Sequence, residues 1–290
     1  QGVGHAGGDG GKTMLGAPAL AAAAALRSGL GLVTLAVPEP MVLAALSLCP
    51  AATAIGLPLL PDGTLDASAA AERIDRALHS AATLIVGPGF GHGFAEQQVV
   101  VRLVAMDLVP LVLDADGLNA LASLADSARD IRASMVITPH PGEFTRLASV
   151  FGITLSPTDP QTRPAAAAEL ARRLGCVVVL KGPGTIVSDG LRAWSNTTGN
   201  AALATGGTGD VLAGLIGGFV SQFAAIPFGA LSLFDCARLA VRMHGLAADR
   251  WMAEHGNAGM TPSELLAMIP DVMAAERNTD RKRYTRCESP

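Results

Sequence analysis

The sequence predicts a mainly parallel, doubly wound α/β sheet with helices on both faces. Three observations carry this expectation. Short apolar runs recur at residues 83–86, 111–113, 135–137 and 177–180. Runs without polar alternation suit strands covered on both faces. They alternate with longer amphipathic stretches, the pattern of a strand–helix–strand fold. Each run is followed by a polar or glycine-rich turn, and ligands in such folds gather at the carboxyl ends of the strands.

The elements follow in order. Residues 19–28 are rich in alanine and read as a helix. Residues 32–37 read as a strand, and 67–78 as a helix with its charges on one face. The four apolar strands come next, with helices over 161–174 and 231–248. Thr261, Pro262, Ser263 and Glu264 form a capping box with proline in the first turn, opening a final helix. Residues 278–290 are polar and read as a loose, disordered tail. No repeat or linker interrupts the chain, so residues 1–277 are expected to form one domain.

Composition narrows the classes. The chain has 290 residues, 50% hydrophobic and 16% charged, enough for a sizeable core. Aromatics are only 4%, so that core is expected to consist of small and aliphatic side chains packed closely. The net charge of −4 is spread out, and no basic stripe marks a nucleic-acid surface. Cys49, Cys176, Cys236 and Cys287 lack metal-ligand spacing and read as free thiols in a reducing, cytoplasmic compartment. His5, His79, His92, His244 and His255 give no zinc pattern. The start of the chain has no apolar region of the signal-peptide type.

Residues 211–234 carry no charge and are long enough to span a bilayer. They also hold Gly214, Gly217, Gly218, Gln222, Pro227 and Gly229. They read as a buried glycine-containing helix, a turn near Pro227 and a second helix, not a membrane span. The uncharged stretch 41–61 is broken by Pro50, Pro58 and Pro61.

The most informative segment is 199–214, where Gly206, Gly207, Thr208 and Gly209 lead to a lone acid, Asp210. Glycines let a ligand approach the backbone closely. A helix beginning there presents free N–H groups and its positive dipole end, which suits phosphate. An aspartate at that point can take a proton from a substrate hydroxyl. The segment therefore reads as an anion hole and a general base. The competing reading is a glycine-rich turn with an acid in the first helical turn.

The strand ends add further candidates. Gly87, Pro88, Gly89, Phe90 and Gly91 form a turn a ligand could approach. Asp114 is read as functional and Asp116 as the cap of the following helix. His140 lies between two prolines, ahead of Gly142 and Glu143, which presets its ring; Glu143 favours a helix start. Lys181 is one of three lysines, with Lys12 and Lys282, and precedes Gly182, Pro183, Gly184 and Thr185. It can reach a nucleotide phosphate as a point charge, against the alternative of a surface lysine at a hairpin turn. There is no P-loop and no dinucleotide fingerprint after the first strand.

Together these motifs resemble the ADP/ATP-dependent NAD(P)H-hydrate dehydratases of the ribokinase-like superfamily. The resemblance runs over residues 8–266 and is carried by Gly16-Ala17 with residues 24–29, the 87–91 turn, 114–119, 140–143, 181–185 and 196–214. Residues 244–247 and 259–265 match more loosely. The Asp210 segment alone is shared with vitamin-precursor and sugar kinases. His140-Pro141-Gly142-Glu143 with Asn196-Thr197-Thr198-Gly199-Asn200 points to the dehydratases.

The resemblance implies repair of hydrated NADH or NADPH: the nucleotide phosphorylates the added hydroxyl, and phosphate then leaves. It implies Asp210 as catalytic base and substrate contact. Ala17, Gly89, Gly91, Asp114 and His140 would line the hydrate site. Lys181, Gly182, Pro183, Gly184, Thr185, Asn200 and Gly209 would bind the nucleotide, with Gly206, Gly207, Thr208 and Gly209 as the anion hole. It further implies Mg²⁺, ADP or ATP as co-substrate with ADP favoured, an NAD(P)H-hydrate epimerase as a separate or fused partner, and a homo-oligomer. The runner-up is a small-molecule kinase of the same superfamily. One departure is notable: residues 1–8 hold only Val3 where the family opens with an apolar strand.

Overall fold

The computed structural model describes residues 14–123, 130–225 and 230–287, without the side chains of 278–287. Residues 1–13, with His5 and Lys12, and the expected turn at Pro227 and Gly229 lie outside the described residues, as do the side chains of Lys282 and Cys287.

The chain opens with α1 (Gly16–Arg27), then β1 (Thr34–Pro38), α2 (Val42–Leu48) and β2 (Thr53–Leu57). β1 and β2 pair in parallel as a separate two-stranded sheet. The uncharged stretch 41–61 thus contains a short helix and a strand that its prolines concealed.

The main body follows: α3 (Ala67–Leu78), β3 (Leu84–Val86), α4 (Phe94–Val104), β4 (Leu111–Leu113), α5 (Asp116–Ala122), β5 (Met135–Ile137), α6 (Pro141–Val150), α7 (Arg163–Leu174), β6 (Val177–Leu180), β7 (Ile186–Ser188) and β8 (Ala193–Ser195). These strands form one sheet in sequential order, β3 to β8. The first four are parallel, and β7 and β8 add on antiparallel. Three helices complete the chain: α8 (Thr208–Phe223), α9 (Leu233–His255) and α10 (Pro262–Cys287).

Side chains alternate across a strand, and here both sets are buried. Leu111, Leu113, Met135, Ile137, Val178 and Leu180 join one core cluster with Ile74, Leu103, Leu121, Phe144 and Leu170 of α3 to α7. Val112, Val136, Val177 and Val179 join a second with Leu215, Phe219, Val241 and Ile269 of α8 to α10. Helices therefore cover both faces, as expected. The sequential strand order puts the connecting helices on one face, and the C-terminal helices with α1 supply the other.

Beyond Asp210, α8 owes its uncharged composition to packing. A Cβ at Gly214 would strike the Ala21 carbonyl oxygen of α1 and lie 2.7 Å from the Ala24 Cβ. The alanine-rich α1 and glycine-rich α8 approach closely, as a core of small side chains requires. Among the described residues, no helix is long and apolar enough to cross a membrane. Cys49, Cys176 and Cys236 are buried free thiols.

The final helix begins at the expected capping box: the Glu264 carboxylate accepts from Thr261 N–H at 2.7 Å, and Glu264 N–H reaches Thr261 Oγ1 at 3.4 Å. Its backbone stays helical to Cys287, beyond the point where the polar composition set a loose tail apart. Polar side chains do not stop a helix unless glycine or proline intervenes.

Candidate active site

The carboxyl ends of β4, β5 and β6 converge on one carboxylate. Asp114, directly after β4, is buried. Its Oδ1 accepts from Thr138 Oγ1 at 2.7 Å, after β5, and from Lys181 Nζ at 2.6 Å, after β6. Lys181 Nζ also lies 3.8 Å from Glu143 Oε2. The residue beyond Asp114, Ala115, takes the left-handed φ of 46° to make this turn. Gly87 makes room for it, since a Cβ there would strike the Asp114 carbonyl oxygen.

Lys181 does sit at a hairpin turn between β6 and β7, yet it is largely buried rather than on the surface. Burial opposes its charge, but Asp114 and Glu143 outweigh burial and hold its pKa above the ordinary value. The ammonium is therefore a fixed cation among carboxylates.

Asp210 faces the same cluster from the other side of the sheet. It is the third residue of α8, whose N-cap is Gly207 at φ 91°. No side chain caps that helix, so its first-turn amides point outward at its positive end. At Gly209 a Cβ would lie 3.6 Å from Lys181 Nζ and 3.9 Å from Asp114 Oδ2, which fixes this turn beside the pair. Burial chiefly, with Asp114 and Asp116 adding to it and Lys181 opposing them, raises the Asp210 carboxyl to about 6.

The expected anion hole is only partly open. Thr208 Oγ1 donates within its own loop, to Leu203 O at 2.8 Å or Thr205 O at 2.9 Å. The Thr208 N–H makes a 3.4 Å contact back to Thr205 O. Gly206 is exposed with open space around it. The carbonyl of Thr208 is held from below by His244, with Nε2 at 2.8 Å. Burial lowers the His244 pKa to about 4, so the ring is neutral at physiological pH and donates to that carbonyl.

His140 is the N-cap of α6. Its Nδ1 accepts from Gly142 and Glu143 N–H at 3.0 and 3.3 Å, and Glu143 Oε2 accepts from His140 N–H at 2.7 Å. This is a capping box with histidine in place of serine. Accepting at Nδ1 leaves the proton on Nε2, which lies 3.5 Å from Glu143 Oε1 on a half-exposed ring. Burial raises the Glu143 pKa against the pull of Lys181.

Asp116 does not cap α5: that N-cap is Ala115, and no side chain bonds the helix start. Instead its Oδ2 accepts from Gly91 N–H at 2.8 Å, and Oδ1 lies 2.9 Å from His92 Nδ1. Asp116 thereby ties the 87–93 turn to the carboxylate cluster. Gly89 abuts α1, where a Cβ would lie 3.2 Å from Pro18, one residue beyond the buried Ala17.

The remaining candidates form a second wall. Arg163 donates to the carbonyls of Leu180, Lys181 and Pro183, and so shapes the Gly182–Gly184 turn. Thr185 Oγ1 donates to Gly182 O at 3.0 Å. Both ends of the Asn200 amide are engaged, with Ala202 N–H and Asp249 Oδ1. Asp249 also accepts from Gly199 N–H at 2.8 Å. Glu143, Arg163, His244 and Asp249 were not among the site residues drawn from the sequence. Glu143, inside the 140–143 motif, and His244, at the start of the looser 244–247 match, carried a local signal; Arg163 and Asp249 did not.

Comparison with known proteins defines the fold and the family. A ribokinase-like superfamily protein from Enterococcus faecalis superposes with a TM-score of 0.70 at 24% identity, over 90% of this chain and 82% of that one, which establishes the fold. The model of the NAD(P)H-hydrate dehydratase family matches residues 9–271. The chain belongs to that family. It is 40% identical over 270 residues to the bifunctional NAD(P)H-hydrate repair enzyme Nnr of Salinibacter ruber, covering 92% of this chain and 47% of the relative. The structure of the ADP/ATP-dependent NAD(P)H-hydrate dehydratase from Bacillus subtilis, co-crystallised with ATP/Mg²⁺ and soaked with CoA, aligns with a TM-score of 0.70 and 30% identity, over 90% of this chain and 87% of that chain. The chain spans about half the length of the repair-enzyme relatives it matches.

Proposed function

We propose that this chain dehydrates hydrated NADH or NADPH at the expense of ADP or ATP. The observation that carries the reading is Asp210: a carboxylate with a pKa of about 6, in the first turn of α8, beside a fixed Lys181. A base poised near the operating pH can accept a proton at pH 7 while retaining driving force for the transfer.

In the proposed reaction, Asp210 takes the proton of the added hydroxyl. The hydroxyl oxygen attacks the terminal phosphorus of the nucleotide, and the shortened nucleotide leaves. The carbon–oxygen bond then breaks with loss of the neighbouring ring proton, releasing phosphate and restoring the ring double bond. Phosphate is a far better leaving group than hydroxide. The first-turn amides of Gly209 and Asp210 would stabilise charge on the transferring phosphoryl. Ala17, Gly89, Gly91, Asp114 and His140 would hold the hydrate, and residues 181–185, Asn200 and Gly209 the nucleotide. With the Asn200 amide engaged internally, its contact would come through the backbone.

Among the described residues, no three acidic, histidine or cysteine side chains form a metal cage. Mg²⁺ needs none, because it is commonly held by one or two carboxylates with substrate phosphates and water. Held mainly by the nucleotide phosphates and water, the ion would neutralise the phosphates. An epimerase acting on the same hydrate, fused or separate, and a homo-oligomer complete the proposal. A cytoplasmic location belongs to the same proposal.

The test is near-ultraviolet absorbance of purified protein with hydrated NADH, Mg²⁺ and ADP or ATP. A rise that needs the nucleotide supports the reading and names the donor. Nucleotide consumption without that rise, leaving a stable phosphoester, would favour a kinase.

A further inference from the structure

We propose that Arg163 is a positioning residue for the phosphates of the nucleotide: it draws carbonyls of the turn after β6 inward and so turns the Gly182 and Gly184 amides outward to the phosphates. The proposal deepens the nucleotide site of the dehydratase reading and rests on it.

The first argument is where the charge sits. Arg163 is the first residue of α7 and only 8% exposed. A cation in the first turn faces the positive end of the helix dipole. Buried charges are ordinarily paired. Among the described residues no carboxylate pairs with Arg163, burial alone acts on its pKa, and its Nε has no partner. Nothing in the chain compensates this cation, and an anion bound at the turn would do so.

The second argument is peptide geometry. Arg163 Nη1 donates to Pro183 O, and Nη2 donates to Leu180 O and Lys181 O, both at 3.3 Å. In a trans peptide the N–H points opposite to the C=O, and the described residues contain no cis bond. With the Lys181 and Pro183 carbonyls on Arg163, the next amides, Gly182 N–H and Gly184 N–H, point away from it. Among the described residues neither amide has a backbone partner. Both glycines hold positive φ, 136° and 61°. Free amides converging in such a turn make an anion-binding nest. The turn opens at Lys181, whose Nζ lies 3.6 Å from where a Cβ of Gly209 would stand, so it adjoins the first turn of α8.

The experiment is calorimetric titration with ATP and Mg²⁺. Arg163→Gln should weaken binding about tenfold or more, the scale of a lost hydrogen bond to a charged group. Arg163→Lys keeps the charge without the fork and should recover part of that loss. In turnover of hydrated NADH, Arg163→Gln should raise KM for the nucleotide, while KM for the hydrate and kcat at saturating nucleotide stay close to wild type. Wild-type ATP affinity in folded Arg163→Gln, or equal rises in both KM values, would overturn the assignment. The wild type supplies a test that no variant's folding obscures: the Gly182 and Gly184 amide proton resonances should move downfield as ATP saturates the site. Amides that stay in place overturn the assignment as well. Failure of the wild type to bind ATP or ADP at all sinks the nucleotide-dependent reading instead.

Discussion

Lys181 and Asp114 meet at 2.6 Å across 67 residues of chain, and the strand between theirs, β5, adds Thr138 to the same oxygen. Three adjacent strand ends are thereby locked together at the point where Asp210 approaches. Charge within this cluster is nearly all acidic, and Lys181 opposes the rise of the Glu143 and Asp210 carboxyls.

Replacing Asp210 by Asn should remove turnover by about three orders of magnitude or more, as loss of a proton acceptor does. Nucleotide affinity should persist, because the amides of α8 remain. Parallel loss of binding and turnover in a titration and rate assay would mark Asp210 as structural.

The base must be ionised to act. With the carboxyl at about 6, kcat should fall as pH drops through that value and level off above it. Lys181 lowers the Asp210 pKa, so Lys181→Ala should shift this limb to higher pH. The same variant leaves Asp114 buried and unpaired, at a cost of about 3 kcal/mol or more in unfolding free energy. A rate profile with an unmoved limb would remove Lys181 from the electrostatics of the base.

Gly87→Ala should act on the site from the strand before it. The position has φ 121°, and its Cβ would meet the Asp114 carbonyl. We expect destabilisation of roughly 2–4 kcal/mol from strain and overpacking, with a loss of activity exceeding the loss of folded protein. Denaturant melts alongside rate measurements would show this; a variant of wild-type stability contradicts the close approach.

His244 predicts a pH-dependent stability. Its folded pKa is lowered to about 4 from an ordinary 6.5, so between these values the unfolded chain binds more protons. Stability contributed by His244 therefore rises with pH across that window and is complete above it. His244→Gln should flatten this part of the unfolding free energy against pH, measured by urea titration. It should also lower kcat by freeing the Thr208 carbonyl.

Much of the fold is legible locally. Leu111, Val112 and Leu113 are all apolar because both faces of their strand are covered, and such runs announce a buried strand without any partner being known. The Thr261–Glu264 box is equally readable, since a cap is a contact across three residues. Gly206 to Asp210 signals an anion site because the needed backbone freedom is written in the glycines themselves. The weaker readings concern 41–61, where proline masked short elements, and Asp116, whose partner lies 25 residues away.

The sequence by itself determined the alternation of elements, the turns at the strand ends and the residues able to do chemistry there, because periodicity, caps and glycine turns are short-range properties. Tertiary structure decided what those residues touch. It put Lys181 on Asp114 rather than in solvent, turned Thr208 Oγ1 inward, and brought Arg163, His244 and Asp249 beneath the loops. It also raised Asp210 to about 6, because burial and the approach of distant charges depend on the packed sheet and not on neighbours in the chain.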